Sequence, residues 1–218
     1  MRKIKFVKGE FYHVYNRGVD KRNIFANKYD IDRFLECMDE FNTVSLTGGL
    51  YESSFATPEL KAKRKSKRLV NIVAYCLNPN HYHLILEQVA ENGISQFMKR
   101  LNGGYSWYFN SRYQRSGALF QGPFKAKLID SNTYLLHLSI YINLNFKVHQ
   151  LSDLVAKLVR SSWEEYTTNN QETTICKKDI ILDQLGSKNE YKKFALYALP
   201  DLIEKKKRDK EVADLLLE

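Results

Sequence analysis

Apolar and polar positions along the chain alternate between short strand-like runs and longer stretches of helical period. Residues 10–18 (Glu-Phe-Tyr-His-Val-Tyr-Asn-Arg-Gly) read as a first strand that stops at Gly18, and Asp20 to Asn23 make a polar turn. Residues 29–45 place Ile31, Phe34, Leu35 and Met38 at a helical spacing. Residues 46–68 break that pattern with Gly48 and Gly49, then Ser and Thr, then the basic run Lys61 to Arg68, which predicts an excursion or a flexible loop. A strongly apolar strand follows at 69–77, then the turn Asn78-Pro79-Asn80, then a second strand at 81–88. Residues 93–113 predict an aromatic-rich helix interrupted at Gly103-Gly104, and 117–129 predicts two short extended pieces bent at Gly122-Pro123. A helix over 131–147, capped by Ser131 or Asn132, precedes a shorter one at 152–160. Beyond a polar stretch at 167–174, two more helices are expected at 178–200 and 200–217.

The hairpin-joined strands at 69–88 decide the fold class. Parallel strands need long crossovers, so a turn of this length argues for an antiparallel α+β sheet with flanking helices. The chain divides by pattern into residues 1–166 and a helical C-terminal extension, 167–218, with no readable motif in the latter.

Composition narrows the partner. Thirty-four Lys and Arg against twenty-five Asp and Glu give a net charge of +9, and there are 14 Tyr and 12 Phe. Cations meet phosphate and rings stack on bases, so a nucleic-acid partner fits, as does a merely basic cytosolic protein. Cys37, Cys76 and Cys176 are odd in number and far apart, which suggests buried thiols in a reducing compartment. No apolar run reaches the roughly 18 residues of a membrane span, and Met1 to Lys5 lacks a signal peptide's apolar stretch. The expected location is the cytoplasm.

Candidate chemistry begins at Asn80-His81-Tyr82-His83-Leu84, which holds two of the chain's five histidines. On a strand, His81 and His83 share one face, and Tyr82, Leu84 and Leu86 point the other way into a core. On a wheel of the 131–147 helix, Leu135, Leu138, Ile142 and Phe146 form one apolar stripe and Leu136, Ile140 and Leu144 another. Between them runs a polar edge of Tyr134, Tyr141 and Asn145. Two imidazoles and a carboxamide oxygen make a three-ligand set with open positions, suited to Mg²⁺ or Mn²⁺ holding phosphate oxygens. A phenol beside such an ion could attack phosphorus. Each element also has a plainer reading: a structural histidine pair, a packed tyrosine, an asparagine that only caps a helix.

Taken together, these segments resemble the single-tyrosine HUH transposases, and within that IS200-like superfamily the REP-associated tyrosine transposases. The resemblance rests on Asn80-His81-Tyr82-His83-Leu84, on Tyr12-His13-Val14-Tyr15-Asn16-Arg17-Gly18, on the block from Gly117 to Ala126, and on Leu135 through Asn145. It covers roughly residues 8–166. It implies that His81 and His83 bind a divalent metal and that Asn145 supplies a third ligand. It implies that Tyr141 attacks single-stranded DNA, leaving a 5′-phosphotyrosine and a free 3′-OH. It also implies recognition of hairpin DNA, and it leaves both a monomer and a homodimer open. Two departures stand out: Phe146 occupies a position usually held by Pro, so the helix is expected to run on, and Pro123 stands where the family usually carries Arg.

Arg17, Arg112, Arg115 and Lys125 flank the motif blocks and are the expected DNA contacts, with Lys21, Arg22, the 61–68 run, Lys99, Arg100 and Lys127 as further candidates. Tyr105, Trp107 and Tyr108 are candidates for stacking on bases. Two rivals stay open at this point: a non-catalytic nucleic-acid-binding module, and a metal-dependent phosphodiesterase that uses activated water.

Overall fold

The structure, a computed structural model, describes residues 4–45, 55–169 and 174–215; Gly48, Gly49 and the rest of 46–54 lie outside these. Strand β1 (Phe11–Arg17) is followed by a 3₁₀ turn (Val19–Lys21) and helix α1 (Lys28–Glu40). The basic run folds into helix α2 (Pro58–Lys65) where a loop was expected. Thr57 caps it by accepting from Leu60 N–H at 3.3 Å, and Pro58 starts it. The hairpin is as expected, with β2 (Val70–Asn78) and β3 (His81–Gln88). Helix α3 (Gly93–Arg112), β4 (Lys125–Ile129), α4 (Asn132–Asn143) and α5 (Asn145–Val148) complete the first part. Then come α6 (Asp153–Ala156), β5 (Arg160–Ser161), α7 (Trp163–Thr167), α8 (Asp179–Leu185) and α9 (Lys188–Leu215).

The five strands form one antiparallel sheet in the order β4-β1-β3-β2-β5. This is the antiparallel α+β fold with flanking helices that the hairpin predicts. β3 lies at its centre, so the strand that carries the histidines has a neighbour on each side. Alternation along β1 and β3 divides the sheet into two faces. Tyr82 and Leu84 are fully buried toward α1 and α3, where Tyr82 packs on Phe34 at 5.3 Å and donates to Asn102 Oδ1 at 2.9 Å. His13, Tyr15, His81 and His83 face the other way, toward α4 and α5.

Three boundaries differ from expectation, each for a physical reason. Helix α3 runs unbroken through Gly103-Gly104, because Gly104 is the seat of a close helix crossing. A Cβ there would stand 2.5 Å from the Phe41 ring. The 131–147 helix breaks at Leu144 (φ −103°, ψ 16°) and restarts as the single turn α5, so Phe146 does not prolong α4. In the tail the break falls at Gly186 (φ 80°), a left-handed helix terminator, and α9 then continues past Pro200. β5, only two residues long, had no signal in the sequence pattern.

The tail is bound tightly to the sheet. Tyr191 of α9 is fully buried and accepts from Asn143 Nδ2 at 2.8 Å. Asn143 Oδ1 in turn accepts from Ser162 Oγ at 2.6 Å. Glu165 accepts from the backbone N–H groups of Ile175 and Cys176, at 3.1 and 2.9 Å. All three cysteines are buried free thiols, as their spacing predicts.

Candidate active site

β3 sets the first two groups. Paired with Cys76 and Asn78 on β2 and with Tyr15 and Arg17 on β1, His83 and His81 are fixed at two levels of a central strand. Their rings meet edge to face at 5.1 Å. The Nδ1 contact sets the tautomer of His81 and couples that of His83 to a third ring. His81 Nδ1 lies 2.6 Å from Asn80 Oδ1, which can only accept, so the proton sits on Nδ1 and Nε2 keeps its lone pair. His83 Nδ1 lies 2.9 Å from Nε2 of His13, a residue on the neighbouring strand. Burial holds His13 and His81 at about 4, and burial with His13 and His81 nearby holds His83 well below the ordinary histidine range. All three rings are therefore neutral at pH 7.

α4 and α5 bring the remaining groups over the same face. The Tyr141 ring stands edge-on to His83, with ring centroids 6.3 Å apart. Its hydroxyl lies 3.2 Å from His149 Nε2. Burial raises the phenol pKa, while the Asn145 amide beside it acts in the opposite direction. Asn145 is completely buried at the start of α5, and its Oδ1 accepts from Asn78 Nδ2 at 3.0 Å. Its own Nδ2 has no well-formed hydrogen bond, nor does Asn78 Oδ1. Such orphaned buried amide atoms are costly and mark a polar site.

The structure thus brings His81, His83, Tyr141 and Asn145 together. Asn78 Nδ2 sits 3.1 Å from His81 Nε2 and 3.0 Å from Asn145 Oδ1. Two lone pairs converge on this one partially positive N–H₂ group, the arrangement a cation would exploit. Among the described residues no cluster of three or more His, Cys, Asp or Glu is placed to hold a metal. The donor set suits a hard or borderline divalent ion with open positions.

The four expected DNA contacts separate into two places. Arg17 and Lys125 line a cleft of about 490 Å³ whose floor is His81 and His83, together with Lys21, Tyr15 and Gln121. Arg17 is oriented by a hydrogen bond from its Nε to Gln121 Oε1. Arg112 and Arg115 lie at the C-terminal end of α3. There Arg112 sits 3.8 Å from buried Asp30 and over the rings of Tyr29 and Tyr113, and Arg115 sits over Phe109. Arg68 and Arg100 support the fold by donating to Asp39 and to the Thr43 carbonyl, at 2.8 and 2.6 Å. Of the candidate stacking rings, Tyr105 is fully buried, Tyr108 donates to Asp30 at 3.1 Å, and Trp107 is 73% exposed.

Sequence reasoning missed His13, Asn78 and His149. His13 had a usable signal, since it lies inside one of the motif blocks and shares its strand face with Tyr15.

Comparison with known proteins follows the same segments. Residues 54–145 match the model of the family described as transposase IS200 like, a span that includes His81, His83, Tyr141 and Asn145. No curated protein matches the chain. Among solved structures, one of a REP-associated tyrosine transposase bound to a REP hairpin is similar at 15% identity and a TM-score of 0.48, over 76% of this chain and 83% of that one. A candidate transposase from Deinococcus radiodurans R1 is similar at 16% identity and a TM-score of 0.37, over 65% of this chain and 95% of that one. Residues 54–145 are thus similar to the transposase IS200 like family, the group that the motif blocks also resemble.

Proposed function

We propose that this chain is a metal-dependent single-stranded DNA transposase and endonuclease that cleaves and rejoins DNA through a 5′-phosphotyrosine on Tyr141. The observation that carries this reading is the meeting of Tyr141 with the histidine pair inside one chain, its ring 6.3 Å from that of His83. The nucleophile and the phosphate-binding floor are then complete without a second copy, so a homodimer is not needed to assemble the site.

His81, His83 and Asn145 would hold Mg²⁺ or Mn²⁺, which when bound polarises the scissile phosphodiester and steadies its developing charge. The chain's own groups supply the rest. The neutral His81 imidazole, with its proton on Nδ1, offers its Nε2 lone pair to the cleft, and the neutral His83 ring does so when it donates to His13. Arg17, Lys21 and Lys125 line that cleft and take the phosphates on either side of the scissile one. Tyr141 Oη forms a bond to phosphorus, the P–O3′ bond breaks with its electron pair going to O3′, and a free 3′-OH remains. Attack by a 3′-OH on the phosphotyrosine reverses the step and rejoins a strand. Hairpin recognition rests on the motif resemblance alone. Residues 1–166 are the catalytic unit in this reading, residues 167–218 are a helical extension folded onto it, and the protein works in the cytoplasm. Among the described residues no helix is long and apolar enough to cross a membrane.

The test is a covalent-adduct assay. A single-stranded oligonucleotide carrying a hairpin is mixed with the protein and Mn²⁺ and run on a denaturing gel. A protein–DNA band is expected, and Tyr141→Phe should abolish it. Turnover without an adduct would favour a phosphodiesterase that uses water. Binding that ignores both chelator and Tyr141→Phe would favour a non-catalytic module.

A further inference from the structure

We infer that His149 is a catalytic residue of this chain, the group that takes the phenolic proton of Tyr141 as its oxygen attacks phosphorus. The inference rests on the covalent reading above. It starts from the contact itself: Tyr141 Oη and His149 Nε2 are 3.2 Å apart, with the rings crossing at 62°. A candidate base must first be within hydrogen-bond reach of the proton it removes, and His149 is.

A break in the helix lies between the two residues that make this contact. On a straight helix, residues eight apart lie about 12 Å apart along the axis. The break at Leu144 ends α4, and α5 is a separate single turn that follows it. His149 closes that turn, its N–H donating to Asn145 O at 2.9 Å. The backbone then reverses at Gln150 (φ 48°), and Leu151 N–H donates to Phe146 O at 3.1 Å. His149 is half-buried with its ring turned back onto the phenol.

The phenol needs such an acceptor. Lys206 of α9 lies near His149. The phenol cannot ionise unaided at pH 7, because free tyrosine titrates near 10 and burial here raises it further. The other groups facing this pair are Cys76 on β2, His81 and His83 on β3, Asn145 on α5, and Lys206 and Asp209 on α9. Cys76 is a protonated thiol pushed up to about 12 by burial, and the Nδ1 atoms of His81 and His83 are occupied by Asn80 and His13. In cleavage the proton moves from Tyr141 Oη to His149 Nε2, the Oη–P bond forms, the P–O3′ bond breaks, and O3′ takes a proton from water. In rejoining, a 3′-OH gives its proton to water as O3′ bonds to phosphorus, the Oη–P bond breaks, and the imidazolium returns its proton to Tyr141 Oη.

The test measures single-turnover adduct formation on a hairpin-bearing single strand with Mn²⁺, and hairpin affinity alongside. His149→Ala should slow adduct formation by roughly 10²–10⁴-fold. Its hairpin affinity should be unchanged, and free imidazole should restore much of the rate. His149→Gln keeps a hydrogen-bonding amide that cannot accept a proton, and should stay slow. A wild-type rate in either variant would overturn the inference, as would a loss that imidazole does not restore. The covalent reading fails separately: it is lost if the wild-type protein forms no adduct, or if the adduct survives Tyr141→Phe.

Discussion

His13 Nε2 lies 2.9 Å from His83 Nδ1, and the direction of this hydrogen bond decides which nitrogen of His83 carries the hydrogen. If His83 donates, its Nε2 keeps a lone pair, and His13, held neutral by burial, is able to accept. If His13 donates instead, His83 Nε2 carries a hydrogen and cannot bind a cation. Partners that orient a ligating histidine typically contribute 10–100-fold to metal affinity. His13→Ala should weaken Mn²⁺ binding by roughly that factor, and His13→Gln, which retains an acceptor, should recover part of it. Titration of free Mn²⁺ by electron paramagnetic resonance reads this without any DNA. Equal affinity in the wild type and His13→Ala would mean that β3 alone orients His83.

The same buried histidines make stability depend on pH. His13 and His81 titrate at about 4 in the folded chain, mainly because burial penalises the charged ring, against about 6.5 when unfolded. Above pH 6.5 both states hold neutral rings and the stabilisation is complete. Between 6.5 and about 4 the unfolded chain binds protons that the folded chain refuses, so stability falls as the pH drops. Urea midpoints should therefore decrease from pH 7.5 to pH 5 in the absence of metal. The decrease should be smaller in His13→Gln, which has one such group fewer, and an identical decrease would show that His13 is not held neutral.

What could be read from the sequence, and what could not, follows from how far each contact reaches along the chain. The β2–β3 hairpin was visible because Asn78-Pro79-Asn80 is a local turn signal. The shared face of His81 and His83 follows from the two-residue period of any strand. Tyr141 and Asn145 were placed on one edge by a wheel that assumed a straight helix. They do end up at one site, although Leu144 breaks that helix between them. His13 meets His83 only through the β1–β3 register, and His149 meets Tyr141 only through the break at Leu144, where no Gly or Pro announces it. Gly103-Gly104 misled in the opposite direction. The pair reads as a helix breaker, yet Gly104 is small because Phe41 packs against it.

Tyr191 tests whether the C-terminal helices form part of one folding unit. Its ring packs on Tyr166 at 4.7 Å, and its hydroxyl accepts from the buried amide of Asn143. Tyr191→Phe leaves the Asn143 Nδ2 donor unpaired and should cost about 1–3 kcal/mol. Tyr191→Ala adds a cavity and should cost about 3–5 kcal/mol. Both losses should appear in a single cooperative denaturation transition. A second, separate transition in the wild type would mean that α8 and α9 unfold independently of the sheet.

The division of the arginines gives a contrast in DNA affinity. Arg17 and Lys125 border the cleft over the histidines, whereas Arg112 is engaged with Asp30 and two tyrosine rings on α1 and α3. A cation that neutralises a phosphate releases about 0.7 counterion from a single strand, and each one lost reduces the salt dependence of binding accordingly. Arg17→Ala and Lys125→Ala should each weaken single-strand binding and lower the slope of log K against log salt by about 0.7. Arg112→Ala should leave that slope nearly unchanged. Its effect on stability should also be small, because Asp30 keeps hydrogen bonds from Ala26 N–H and from the Tyr108 and Tyr113 hydroxyls. Affinities measured by fluorescence anisotropy between 50 and 200 mM salt, the range over which phosphate contacts dominate, distinguish the two classes. A slope change for Arg112→Ala as large as that for Arg17→Ala would mean that bound DNA runs across α3 as well as along the cleft.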